Sequence, residues 1–243
     1  MIVIVLAGGS GKRMNSSLPK VLHCIQGIPM ITMLLTEVSK INPDKILVVV
    51  GKDIELIKKE LTGKFDITYV YQEVPLGTGD AVRCCKDYLP DNSNVLILSG
   101  DTPLVRSNTM KSFLNTNITK IGVAKLRNPY GYGRIYEINN KFEKIIEEKD
   151  CSEIEKLINK INCGIYCINS NLIKQYITNL SNSNNQNEYY LTDLIGIIKE
   201  NNNEIDYHVF TDQYEIIGVN TQEQLIHLEE NYRLMEYDPP WYM

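Results

Sequence analysis

Near its N-terminus the chain reads MIVIVLAGGSGKRMNSSLPK, which sets Gly8, Gly9 and Gly11 against Lys12 and Arg13, with Lys20 close behind. Glycines let backbone N–H groups approach an anion, and successive N–H groups make a concave nest for phosphate oxygens. Arginine and lysine add charge-assisted hydrogen bonds to the same oxygens. Phosphate binding is the chemistry this spacing suggests. Two familiar phosphate loops do not fit. A G-x-x-x-x-G-K-[ST] loop ending at Gly11-Lys12 needs glycine at Leu6 and Ser or Thr at Arg13, and a G-x-G-x-x-G fingerprint from Gly9 needs glycine at Met14. On the residues alone, the alternative is a plain strand-to-helix turn with Arg13 and Lys20 as solvated surface charge.

Asp101 is a second candidate. It follows the apolar run NVLILS (94–99) almost directly. A carboxylate at the end of a buried strand is costly unless it is paired or metal-bound. Capping a helix is its alternative role. No Ser/His/Asp or Cys/His nucleophile set and no zinc spacing is visible.

The elements that position these residues follow from apolar patterning. IVIVL (2–6), KILVVV (45–50), DITYVYQ (66–72), NVLILS (94–99), KIGVAKL (120–126) and INCGIYCI (161–168) read as strands. Helical patterns fall at 30–41, 53–63, 77–89, 108–115, 170–179, 190–200 and 221–235, and residues 128–150 read as short strands and turns. The early alternation predicts parallel βαβ units, whose ligands sit beyond the carboxyl ends of the strands. Gly8-Gly9, Gln72, Gly77 and Asp101 all fall at such ends. The Asn-rich stretch 181–188 reads as a connection.

Composition narrows the function classes. The chain has 243 residues, 43% hydrophobic and 23% charged, with net charge -5. That is ordinary for a soluble globular protein and argues against a general nucleic-acid binder. Residues 1–36 contain no acid, so the basic site lies on an otherwise acidic protein, which suits a small anionic ligand. Neither a signal peptide nor a transmembrane length is seen, so no membrane association is expected. The six cysteines read as buried free thiols in a reducing, cytoplasmic compartment.

Eight ordered segments carry a family resemblance: LAGGSGKRM…LPK, QEVPLGTGDA (72–81), LSGD (98–101), NPYGYGRI (128–135), IIEEKD (145–150), INCGI (161–165), EYYLTDL (188–194) and GVN (218–220). They resemble nucleotidyltransferases that make nucleotide sugars, and in particular the N-acetylglucosamine-1-phosphate uridyltransferase domain of the bacterial bifunctional protein. The resemblance implies an α/β, Rossmann-like nucleotide-diphospho-sugar transferase fold, three-layered, with a mixed, mostly parallel central sheet. It implies one unit over 1–236: a nucleotide-binding half to about 126, a sugar-binding half over about 127–220, and a C-terminal helix near 221–235, followed by a tail at 237–243.

It also implies UTP and a sugar 1-phosphate as substrates and Mg2+ as cofactor. Leu6, Ala7, Gly8 and Gly9 would hold uridine and phosphates, and Arg13 and Lys20 would contact the phosphates. Gln72 would read the uracil edge, because an amide both donates and accepts. Gly77 and Thr78 would complete the base pocket. Asp101 and Asn220 would hold the metal, and Gly133, Glu147, Asn162, Tyr190 and Thr192 the sugar. Several have bland alternatives: Gly77 a helix start, Gln72 a strand cap, Asn220 a turn, Glu147 surface charge.

There are departures. Ser99 stands where the family pattern has Tyr, and Lys12 where it usually has Thr. No hexapeptide repeat is present, so neither acetyltransfer nor the trimer that such repeats build is expected; a monomer or homodimer is. The alternatives are uridylyl or thymidylyl transfer to glucose 1-phosphate, a related cytidylyltransferase, or a catalytically silent regulatory domain.

Overall fold

The apolar, β-branched run Ile2–Leu6 forms a strand, β1, buried along nearly its whole length. The computed structural model describes residues 1–9, 11–114 and 118–234, except the side chains of Lys12, Arg233 and Leu234. Expectations placed on the Lys12 side chain and the 237–243 tail lie outside the described residues. In chain order there follow a short hairpin, β2 (Cys24–Ile25) and β3 (Ile28–Pro29), helix α1 (Met30–Ser39), β4 (Lys45–Val50), α2 (Ile54–Leu61), β5 (Thr68–Tyr71), α3 (Thr78–Cys84) and β6 (Asn94–Ser99). Then come α4 (Ser107–Leu114), β7 (Thr119–Lys125), β8 (Arg134–Ile138), β9 (Lys141–Ile146), β10 (Lys160–Asn169), α5 (Ser170–Tyr176), α6 (Leu191–Glu200), β11 (Ile205–Val209) and α7 (Gln222–Leu234).

The sheet order is β11-β7-β10-β6-β1-β4-β5, with β8 and β9 off this path. β1 pairs parallel with β4 and β6, β4 with β5, and β7 with β11. Only β10 on this path runs against its neighbours, β6 and β7. The mixed, mostly parallel sheet expected from the sequence is therefore present. Side chains alternate across a strand. Val3 and Val5 thus pack with α1, α2 and α4 on one face, and Ile2 and Ile4 with α3, α5 and α6 on the other. Each fully buried Ile, Leu or Val contributes about 1.5–3 kcal/mol, so these two faces fix the three layers.

The sequence reading lacks the short β2–β3 hairpin, and two further elements depart from it. β11 was not expected: its IDYHV interleaves polar residues, and it pairs only at the sheet edge, parallel to β7. The predicted helix 77–89 is shorter, ending at Cys84 before a 3-10 turn over Lys86–Tyr88.

A third cluster matters for the site. Met14, Ile25, Met30, Met33 and Val219 pack with Leu225, Leu228 and Tyr232 of α7. The latter three recur at helical spacing and form one apolar stripe. That stripe ties the segment carrying Arg13 to the one carrying Asn220.

Candidate active site

Parallel pairing sends β1, β4, β5 and β6 to the same end of the sheet. There the chain leaves β1 as Ala7-Gly8-Gly9, held by Ala7 N donating to Val49 O (2.8 Å) and Gly100 N to Leu6 O (2.9 Å). A cleft of about 460 Å³ opens at this edge. Leu6, Ala7, Gly8, Gly9, Lys20, Gln72, Gly77, Thr78 and Asp101 line it, as do Pro75, Ser99 and Glu188, which the sequence reading did not assign to binding. At Gly8 a Cβ would stand 3.2 Å from Gln72 Oε1, so a side chain would crowd the wall there. Gly77 has φ +117°, and a Cβ on it would meet Tyr189 O at 2.5 Å. Only glycine fits that junction into α3.

Lys20 Nζ makes an ion pair with Asp101 Oδ2 and donates to Asn220 Oδ1 at 3.0 Å. Arg13 donates to the same Asn220 oxygen, also at 3.0 Å. Asp101 is therefore a paired carboxylate, not a helix cap. Its second oxygen, Oδ1, accepts from Ser99 Oγ at 2.7 Å. Its carbonyl accepts from Val219 N at 2.9 Å, which fixes the Asn220 segment beside it. Arg13, Lys20, Asp101 and Asn220 thus meet at one lip of the cleft although Lys20 and Asn220 are 200 positions apart.

A carboxylate oxygen and an amide oxygen converge here on one point, marked by the Lys20 ammonium. Two hard oxygens at one point suit a magnesium ion that completes its shell with phosphate and water. No cluster of three or more His, Cys, Asp or Glu able to hold a metal occurs among the described residues.

Gln72 is nearly buried. Its Nε2 donates to Asp80 Oδ2 (2.7 Å) and to Gly77 O (3.2 Å). Asp80 in turn pairs through Oδ1 with Arg83, whose guanidinium lies 4.6 Å from the centre of the Tyr189 ring. The expectation that this amide offers both donor and acceptor needs correction, since both its hydrogens are engaged.

The sugar-side candidates form a neighbouring cluster and do not line the cleft. Asn162 N donates to Gly133 O (2.8 Å), and a Cβ on Gly133 would lie 3.6 Å from Glu147 Oε2. Thr192 Oγ1 donates to Glu147 Oε1 at 2.8 Å. Burial raises the Glu147 carboxyl above its usual range; the Thr192 bond opposes this, and Asp193, Asp150 and Glu188 add to it. The Asn162 amide bonds the Tyr166 hydroxyl (2.7 Å) and accepts from Gly164 N (3.2 Å). Tyr190 is buried and accepts from Gln186 (2.9 Å); burial pushes its phenol up to about 12. Thr78 Oγ1 accepts from Leu191 N (3.1 Å), which stitches this cluster to the cleft wall.

Of the six cysteines, Cys85, Cys151, Cys163 and Cys167 are buried, Cys84 is half-buried and Cys24 is exposed. Cys24 departs from the expectation of buried thiols because it faces the opposite side of its strand from the buried Ile25. Among the described residues, no helix is long and apolar enough to cross a membrane.

A glycine turn at the carboxyl edge of a parallel sheet, with cations and a carboxylate at its lip, is an arrangement suited to a phosphate-bearing ligand. The chain belongs to the MobA-like NTP transferase domain family, whose model matches residues 3–133. More particularly, it is similar to UDP-N-acetylglucosamine pyrophosphorylases. It is 46% identical over 242 residues to a protein so named from Acanthamoeba polyphaga mimivirus, covering 94% of this chain and 95% of that one. It is 41% identical to the bifunctional protein GlmU of Clostridium beijerinckii over 93% of this chain, and spans about half (51%) of that longer relative. A Bacillus anthracis crystal structure, solved as a glucose-1-phosphate thymidylyltransferase, superposes with TM-score 0.78 over 98% of this chain and 97% of its own at 20% identity, a likeness of fold.

Proposed function

We propose that this chain transfers a uridylyl group from UTP to N-acetylglucosamine 1-phosphate, forming UDP-N-acetylglucosamine and pyrophosphate. The observation that carries the reading is the meeting of Arg13, Lys20, Asp101 and Asn220 at the lip of a cleft walled by Gly8, Gly9, Gln72 and Gly77. The choice of sugar is supported by the identity to a UDP-N-acetylglucosamine pyrophosphorylase along nearly the whole of both chains.

In this reaction a sugar-phosphate oxygen bonds to the α-phosphorus of UTP. The opposite bond, to the oxygen bridging α and β, breaks in line, and its electron pair leaves with pyrophosphate. The attacking oxygen is already ionised near neutral pH, so no general base is required of the chain. Catalysis reduces to positioning and charge neutralisation.

Backbone groups of Ala7, Gly8 and Gly9 approach the phosphates. Arg13 and Lys20 engage the triphosphate and the incoming sugar phosphate. Asn220 Oδ1 gathers both cationic heads at the lip of the cleft, and Lys20, whose ammonium stands where the metal would be held, would turn to the phosphates once that place is taken. Asp101 and Asn220 are the residues that would hold magnesium. When bound, that ion supplies neutralisation of the phosphate charge that grows as pyrophosphate leaves. Glu147 and Asn162 bind sugar hydroxyl and acetamido groups, with Gly133 and Tyr190 shaping the pocket and Thr192 orienting the Glu147 carboxylate. A nucleotide half to about 126 and a sugar half beyond it, a cytoplasmic setting, and a monomer or homodimer that binds neither nucleic acid nor membrane complete the proposal.

The test is product analysis. With UTP, magnesium and N-acetylglucosamine 1-phosphate, mass spectrometry should find UDP-N-acetylglucosamine and pyrophosphate in equal amounts. Their absence under conditions where the protein is folded would overturn the proposal.

A further inference from the structure

The face of Gln72 turned to the cleft is decided in large part by a residue outside the cleft, Asp80. An amide oxygen and nitrogen are told apart by their partners. Here the partners of one end are the Asp80 carboxylate and the Gly77 carbonyl, which only accept. Nε2 must therefore face them, and both its hydrogens are committed. The remaining end, Oε1, lies beside Gly8 in the cleft wall, where a Cβ on Gly8 would stand 3.2 Å from it. Among the described residues no donor reaches that oxygen.

Flipping the amide would set its oxygen against a carboxylate and a carbonyl together. Asp80 cannot move away easily. It is only 6% exposed, it sits in the first turn of α3, and its other oxygen is held by Arg83, which rests on Tyr189.

We infer that Asp80 is a base-specificity determinant: it locks the Gln72 amide with its oxygen toward the cleft, so the pocket takes a pyrimidine edge bearing N–H and rejects one bearing a lone pair. Uracil and thymine present N3–H to such an oxygen. Cytosine presents an unprotonated N3 at the same place, and two acceptors would then face each other in a partly desolvated site. Asp80 does not touch the base in this arrangement; it is a positioning residue acting through Gln72. The inference rests on the proposed use of UTP and adds to it the reason that CTP is refused.

Equilibrium binding of UTP and CTP, by titration calorimetry with magnesium and without the sugar phosphate, separates this inference from the proposed reaction. The native protein should bind UTP at least about tenfold more tightly than CTP, as for one mispaired hydrogen bond. In Asp80→Asn, the new amide keeps its oxygen for Arg83 and turns N–H groups on Gln72. The carboxylate's share of the lock is lost and only the Gly77 carbonyl still favours the native orientation, so the UTP-to-CTP affinity ratio should fall several-fold. Arg83→Ala retains the carboxylate and should keep the ratio. A purely structural role for Asp80 would weaken both nucleotides equally and leave the ratio unchanged, which would overturn the inference.

Should Asp80→Asn fail to fold, UTP methylated at N3 tests the unaltered protein. It should bind at least about tenfold more weakly than UTP, and equal binding would overturn the inference. Equal affinity of the native protein for UTP and CTP would do the same. Selective UTP binding without any turnover would instead overturn the proposed reaction and leave the role of Asp80 standing.

Discussion

Ser99 Oγ donates to Asp101 Oδ1 at 2.7 Å, so the hydroxyl fixes one oxygen of the carboxylate while the other faces Lys20. A bulky aromatic at this place could not make the same short contact from the strand end. Ser99→Ala should lower kcat about fivefold, the worth of one hydrogen bond of about 1 kcal/mol, and raise the magnesium concentration needed for half-maximal rate. Ser99→Thr keeps the hydroxyl and should keep most of the rate. Magnesium titrations of the three proteins check this. Equal magnesium dependence in all three would remove Ser99 from the site.

Asp101→Asn removes the negative partner of Lys20 and the charged oxygen offered to the metal. Loss of one strong transition-state contact predicts a fall in kcat of about 10² or more, with the fold retained. Near-normal turnover at low magnesium would show the metal assignment to be wrong. Arg13→Ala should cost about as much, with Arg13→Lys rescuing only part, because lysine lacks the planar two-pronged donor.

How much of this was legible beforehand depends on how local each signal is. β1, the turn at Gly8-Gly9 and the Asp101 strand end could be read because apolar runs and glycines act within a few residues. β11 could not: IDYHV has no uninterrupted apolar run, and its pairing with β7 joins segments far apart in the chain. The Gln72 amide is legible as a candidate, but its orientation depends on Asp80 in the first turn of the next helix, and no pattern in the residues reveals which end of an amide is spent. Asn162 and Thr192 were named by resemblance. Their inward hydrogen bonds, to Tyr166 and Glu147, depend on the bulge in β10 and on the docking of α6.

Glu147 predicts a conflict between stability and function. Burial first, and then Asp193, Asp150 and Glu188, hold its carboxyl above the ordinary value against the lowering effect of Thr192. A raised acid binds more protons folded than unfolded. Its stability contribution is therefore highest at low pH and is lost as pH rises from the ordinary carboxylate value through the raised folded value. Glu147→Gln cannot ionise and escapes that loss. Its melting temperature should exceed the parent's at neutral pH and match it near about pH 4, while sugar-dependent turnover falls about tenfold or more. Melting curves at the two pH values decide it; a lower melting temperature at neutral pH would mean the charged form is stabilised by contacts not described above.

At Gly77, φ +117° and the contact a Cβ would make with Tyr189 O together predict strain. Gly77→Ala should destabilise the protein by about 1–3 kcal/mol and separate Tyr189 from the cleft wall. Denaturant unfolding measures the first effect. An unchanged midpoint would show that the junction relaxes freely.

The central claim is the reaction and its sugar. The most direct measurement is kcat/KM for pyrophosphate release from UTP and magnesium, compared between N-acetylglucosamine 1-phosphate and glucose 1-phosphate in the same preparation. A clear preference for the N-acetylated sugar is expected. A clear preference for glucose 1-phosphate would contradict the substrate, and no release with either sugar would contradict the reaction itself.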